Sequence, residues 1–361
     1  MTKKQCIKAV AFLLLLAMVF IEANSVFGTV ADYKEHAEMM FEGFYSQEKN
    51  TDDVIIIGNS HVYNFWESPY MWDQYGITGM PISTAAMPAD VYKNLAIEAM
   101  KTQSPKLIIF EVSSFSSADK KNERVYMDIE NMKLSKNYFD LINAHCDSDK
   151  IYGFDRIPYY FPIVKFHTRW KYLTKEDFIQ CDPSYLNGYY EKDFLTKTSK
   201  EVDYVYNDKR RKIGKQMEKN LLDLLDWCSQ QEGVQFEFIA APGYWINHYR
   251  PEMINYVCDL IEEKGFNVEN FLETEKFETF NFTSNVDFWD GKANHTNVNG
   301  AFKFCQVYGQ HLVEKYGLED HRGDPKYASW DELSGKYFKK INKYFTHQDE
   351  LIGDYGLETV Q

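Results

Sequence analysis

Closely spaced cysteines, histidine ligand pairs and glycine-rich phosphate loops are all missing from this 361-residue chain, and each absence removes a class of function. The six cysteines, Cys6, Cys146, Cys181, Cys228, Cys258 and Cys305, stand far apart, so no disulfide framework is implied. Cys146 with Cys181 is the one pair in irregular sequence that a bridge would join. Cys228 and Cys258 fall on apolar faces of expected helices, as small core residues do. Nine histidines are scattered with no His-x-x-x-His spacing, and no Cys-x-x-Cys occurs, so no metal is expected. Without a Gly-rich loop to cradle phosphates, no nucleotide cofactor is expected either. A basic excess is also lacking: the net charge is −14, which repels polyanions and argues against nucleic acid as a partner. No internal repeat or low-complexity tract appears.

There is only one long hydrophobic run. Lys3, Lys4 and Lys8 precede Ala9 to Ile21, which fits a signal-peptide core better than the ~20 residues needed to span a bilayer. Continuing past Glu22 through Ala23, Val26, Phe27 and Val30 gives a marginal span. No convincing small-x-small cleavage site follows, so residues 1–30 are expected to form an uncleaved anchor with the basic end inside and the rest extracytoplasmic. Cleavage would instead make the protein secreted.

Beyond the anchor, residues 31–50 read as a helical stalk, 51–316 as one α/β domain and 317–361 as a C-terminal helical tail. Val54-Ile55-Ile56-Ile57 is apolar without alternation, as in a central parallel strand covered on both faces. The expected strands are Asp53 to Gly58, Gly79 to Ala85, Leu107 to Val112, Gln235 to Ala241 and Phe266 to Val268. Helices are expected at Ala89 to Lys101, Asn207 to Gln231, Pro251 to Lys264 and Thr296 to Tyr316. This alternation predicts a three-layer α/β/α fold around a mostly parallel, flavodoxin-like sheet.

Residues 116–203 break the rhythm with aromatic-rich, turn-rich sequence. They are expected to form an insert, whose rings either stack on sugars above the site or pack onto the sheet. The tail carries Trp330, Leu333, Tyr337, Phe338 and Ile341 at helical spacing and would close the sheet edge.

The first strand runs into Gly58-Asn59-Ser60-His61, which places Ser60 at the carboxyl edge of the sheet, where open α/β folds build their sites. Serine is also a common helix N-cap. A serine nucleophile needs a base, and the base needs an orienting partner. The loop from Asp287 through Asp290 to His295, just before the last core helix, supplies both residue types. Pro242-Gly243-Tyr244-Trp245 leaves the fourth strand at the same edge, so Tyr244, Trp245 or His248 would meet a substrate there.

These two blocks, Asp53 to Glu111 and Asp287 to Phe304, resemble the SGNH (GDSL-like) hydrolase superfamily. The likeness is to its membrane-anchored bacterial branch, which includes the D-alanine transfer protein of teichoic acid modification and the alginate O-acetylation proteins. The first block also carries Trp72-Asp73-Gln74-Tyr75-Gly76 and Pro105 to Glu111, and the resemblance spans roughly residues 50 to 316.

The resemblance implies Ser60 as nucleophile, His295 as general base and Asp290 as orienting carboxylate, with Asp287 as the alternative acid. The family spaces its acid three residues before the histidine, where Lys292 stands here. Either the loop carries an insertion that still brings one carboxylate to the imidazole, or a backbone carbonyl takes the acid's place. Of the family's oxyanion donors, the glycine after the second strand is replaced by Ala85 and Ala86, and the asparagine after the third by Ser113.

The implied function is an exported serine esterase or O-acyltransferase acting on acyl esters of a cell-surface glycan, with a membrane acyltransferase as partner. The shifted acid and missing asparagine suggest the alternative, a non-catalytic binding or assembly protein of a cell-envelope modification system.

Overall fold

The computed structural model describes residues 2–27, 34–116, 125–133, 135–146, 160–178, 203–204, 206–244, 251–290 and 293–345. Five strands, β1 (Val54–Gly58), β2 (Gly79–Ser83), β3 (Leu107–Glu111), β4 (Gln235–Ala240) and β5 (Asn267–Asn270), form one all-parallel sheet in the order β2-β1-β3-β4-β5. The chain steps from β1 to β2 on one side and then crosses to β3 on the other. The exits of β1 and β3 therefore flank a topological switch point, where open α/β sheets leave a crevice. Pro81 is tolerated in β2 because that strand lies at the edge.

Both faces are covered by helices, which makes the fold a three-layer α/β/α arrangement. Helix α1 is Lys3–Val26 and α2 is Lys34–Ser46; α3 (Ser60–Phe65), α4 (Ser68–Tyr75) and α5 (Tyr92–Ala99) follow around the first strands. The insert contributes α6 (Val125–Asn131), α7 (Lys136–Cys146) and α8 (Pro162–Phe166). The second half adds α9 (Lys215–Cys228), α10 (Pro251–Glu263), α11 (Thr274–Glu278), α12 (Val298–Tyr316) and α13 (Ala328–Phe345). Ile55, Ile57, Ile108, Phe110 and Phe238 point to one face and pack with α2, α5, α6, α7, α9 and α10. Val54, Ile56, Leu107 and Ile109 point to the other and pack with α3, α4, α12 and α13. That division explains the unbroken apolar run of β1, since period-2 side chains feed two separate cores.

Several boundaries differ from expectation. The helix expected from Asn207 starts only at Lys215. Before it, Asn255 on α10 donates to the carbonyls of Asn207 and Lys209, and Arg211 N–H donates to the Glu252 carbonyl, so tertiary contacts replace a first helical turn. The Lys209 to Lys212 cluster would also oppose the positive end of a helix dipole. In the tail, α13 docks on α4 rather than on the sheet edge: Trp330 lies 6.0 Å from Trp72, and Tyr337 donates to Glu67 at 3.0 Å. The described start of the insert, α6 and α7, buries Val125, Ile129, Leu141 and Ile142 against the core, and Thr84, just past β2, donates to Asp128 of α6 at 2.7 Å. Cys228 and Cys258 are buried and unbridged; Cys181 lies outside the described residues.

Helix α1 stands apart from both cores. Its apolar side chains are exposed, and it is long and apolar enough to cross a membrane or act as a signal anchor.

Candidate active site

Gly58 makes the site possible by having no side chain. A Cβ there would lie 2.5 Å from the Val62 side chain and 2.7 Å from the Glu111 Cβ, so only glycine lets β1 turn this closely past β3 into α3. Asn59 then caps α3. Its Oδ1 accepts from His61 N–H, while its Nδ2 donates to Ser113 Oγ at 2.9 Å and Ser114 Oγ at 2.8 Å. Its carbonyl accepts from Ser83 Oγ at 2.8 Å, and Ser114 Oγ donates to the Met87 carbonyl. The exits of β1, β2 and β3 are thus laced together around the residue before Ser60.

Ser60 Oγ lies 2.9 Å from His295 Nε2, and His295 Nδ1 lies 3.2 Å from Asp290 Oδ2. Asp290 Oδ1 also accepts from the backbone N–H groups of Asn294 and His295. Burial pushes the Asp290 carboxyl upward, but the His295 ring and these two N–H donors outweigh it and hold the group below the usual carboxylate range. An ionised Asp290 favours the tautomer with a proton on Nδ1, leaving Nε2 to accept from the serine hydroxyl.

The imidazole of His295 is flanked on two sides. His61 stacks on it at 5.3 Å and 10°, and Trp289, 40% exposed, stacks at 5.5 Å and 25°. Burial, reinforced by the neighbouring His295, holds His61 well below the usual histidine range, so the ring beneath His295 stays neutral. Asn64 ties the assembly together: its amide donates to the Ser60 carbonyl and its Oδ1 accepts from Trp289 Nε1 at 3.0 Å.

Asp287 plays a different part from the one considered for it. Fully buried, it pairs with Lys303 Nζ at 2.8 Å and accepts from Thr283 N–H and the Asn299 side chain, so it braces the loop and does not reach His295. Ser113 is also committed elsewhere. Its hydroxyl donates to Glu111 Oε2 at 2.7 Å, accepts from Asn59 and lies 3.2 Å from His61 Nδ1, which leaves it beneath the site as part of a buried polar network. Burial raises the Glu111 carboxyl to about 7 against the lowering effect of its Ser113 and Ala241 hydrogen bonds.

Tyr244 is packed rather than presented. Its ring meets Tyr204, Phe277 and Phe288, its hydroxyl donates to the Phe282 carbonyl, and its N–H donates to the Ala293 carbonyl. Trp245 and His248 lie outside the described residues.

The turn after β2 is unusual. Met87 N–H donates to the Thr84 carbonyl, Ala85 is buried, and Ala86 is exposed with φ 54°, a left-handed conformation that glycine adopts at less cost. Ala293, between Asp290 and His295, has φ 50°. Ala293 thus strains the loop that carries Asp290 and His295, and Ala86 strains the turn after β2.

His61, Asn64, Trp289 and Glu111 were not legible as site residues, because their roles come from stacking and long-range hydrogen bonds. Asn64 and Trp289 meet across 225 residues. Away from the site, Glu237, Glu269 and His311 approach closely enough to hold a cation, but Lys315 Nζ already bonds Glu237 at 2.8 Å and Glu269 at 3.2 Å. Compared with protein-family models and with curated proteins, the chain matches none.

Proposed function

We propose that this protein is a serine esterase or O-acyltransferase of the SGNH type, held outside the cytoplasm by α1 and acting on acyl esters of a cell-surface glycan. The observation that carries the reading is the continuous relay from Ser60 Oγ to His295 Nε2 and from His295 Nδ1 to Asp290, at hydrogen-bond distances throughout.

In the first half-reaction Ser60 Oγ attacks the ester carbonyl carbon and its proton passes to His295 Nε2. The tetrahedral adduct then expels the alcohol, which takes that proton, and an acyl-Ser60 ester remains. In the second half, water or a glycan hydroxyl gives its proton to His295 Nε2 as it attacks the acyl carbon; the adduct then expels Ser60 Oγ, which takes that proton back, and the acid or the new ester leaves. Hydrolysis and transfer share these residues and differ in whether water reaches the acyl-enzyme. Oxyanion donors in this scheme are the Ser60 N–H, among those a helix start leaves unpaired, and the Ala86 turn after β2. Asp290 orients the imidazole, and the neutral His61 supports it from below. A membrane acyltransferase that delivers the acyl group fits the anchored arrangement.

A second reading, a non-catalytic binding or assembly module on the same fold, is favoured by one observation: the Ser113 hydroxyl is engaged by Glu111 and Asn59 and offers no side-chain oxyanion donor. A fluorophosphonate probe separates the two. The full chain in detergent is expected to be labelled at Ser60, and Ser60→Ala to remain unlabelled. An intact Ser60 protein that stays unlabelled would overturn the catalytic reading.

A further inference from the structure

Among the described residues outside α1, exposed aromatic and large apolar side chains are concentrated in one part of the protein. They are Phe139, Phe161, Val164, Trp170, Tyr172, Phe178 and Trp289, and all but Phe139 and Trp289 fall within residues 160–178. Trp170, Tyr172 and Phe178 are 65%, 77% and 67% exposed. The same stretch carries the exposed Lys171 and Lys175, in a chain whose net charge is −14. Aromatic rings mixed with lysines have the composition of a membrane–water interface, where amphipathic rings sit at headgroup depth and lysine stems reach outward.

The position of this stretch supports the same conclusion. It seats directly on the C-terminal end of α1: Phe161 packs edge-on against Phe20 at 5.5 Å, and Ile163 N–H donates to Asn24 Oδ1 at 3.0 Å. The Arg169 guanidinium donates to the Val26 carbonyl at 3.2 Å, supplying the cation that the last turn of α1 lacks. On its other side the stretch is tied to the domain, through Tyr160 donating to Asn143 and Tyr160 packing on Phe139 of α7. The apolar span Lys3–Asn24 is ~33 Å long at 1.5 Å per residue, close to the thickness of a hydrocarbon core, so contacts at Phe20 to Val26 lie where the helix leaves it.

We propose that residues 160–178 form a membrane-docking foot. Phe161, Val164, Trp170, Tyr172 and Phe178, flanked by Lys171 and Lys175, enter the interfacial layer of the leaflet from which α1 emerges. The foot thereby fixes the height and orientation of the α/β domain over the bilayer. This rests on α1 being a membrane anchor.

The test uses the full chain reconstituted in vesicles of phosphatidylcholine and phosphatidylglycerol with brominated acyl chains, which quench tryptophan only on contact. Helix α1 contains no tryptophan, so any quenching comes from the domain. Wild type is expected to show a quenched component that Trp170→Phe reduces by at least about twofold, both proteins resisting alkaline extraction. Retention after extraction with quenching unchanged by Trp170→Phe would reject the foot and leave the anchor standing. Release by alkaline extraction would reject the anchor and the foot with it.

Discussion

At the scale of single residues, the two aspartates of the late loop have separable duties. Asp290 faces the imidazole, whereas Asp287 pairs with Lys303 beneath the loop. Asp290→Asn is expected to slow Ser60 labelling by roughly 10²- to 10⁴-fold while leaving the melting temperature nearly unchanged. Asp287→Asn is expected to lower stability by roughly 3 kcal/mol, read by chemical denaturation, because it leaves a mostly buried lysine without its charge partner. The opposite pattern would exchange the two roles.

That Ser60 and His295 come together was legible because each sits in a short motif at a strand exit or helix entry. Ser113 and Tyr244 share a feature that local sequence does not reveal. A hydroxyl near a sheet edge looks available until its partners, Glu111 and the Phe282 carbonyl, are in place, and those are settled by packing and not by local sequence.

At the scale of elements, the β1–α3 junction is the tightest part of the design. Gly58→Ala is expected to cost about 1–3 kcal/mol by forcing Val62 and Glu111 apart, and to slow probe labelling as well, since α3 carries Ser60. Measuring unfolding midpoint and labelling rate on the same variant checks both; loss of one without the other would uncouple the turn from the site.

β1 was readable from its β-branched apolar run and the others from their alternation with helices, and all five appear within a few residues of their expected ends. Helix limits were less readable. The 207–214 segment has helix-compatible residues, yet Asn255 and Glu252 of a helix more than thirty residues downstream hold its backbone in another shape. Such tertiary competition has no local signature.

At the scale of the whole molecule, two buried carboxyls set the expected response to pH. Asp52 is fully buried, neither of its oxygens has a hydrogen-bond partner among the described residues, and burial, aided by the adjacent Asp53, lifts it to about 8. Glu111 is lifted to about 7. Each holds a proton in the folded protein at pH values where the unfolded chain, titrating near ~4, has lost it. Their contribution is therefore complete below about pH 4 and falls as pH rises through 7 and 8. Buried, neutral His61 acts in the opposite direction up to the ordinary histidine range, so melting temperature is expected to decline from about pH 7 to pH 8.5, and Asp52→Asn to flatten that decline; a slope unchanged in the variant would assign it to other groups.

The hydrogen bond between Ser60 and His295 joins residues 235 positions apart. A contact of such high order closes a very long loop, which is entropically costly and slow to form until the intervening strands and helices have assembled. Reactivity of the serine thus reports on completion of the fold: a chain that ends before His295, or one caught before α12 docks, would carry an intact β1 turn and yet be chemically silent. On the proposed esterase reading, a freshly made molecule would in this way be kept from attacking esters before α12 is in place.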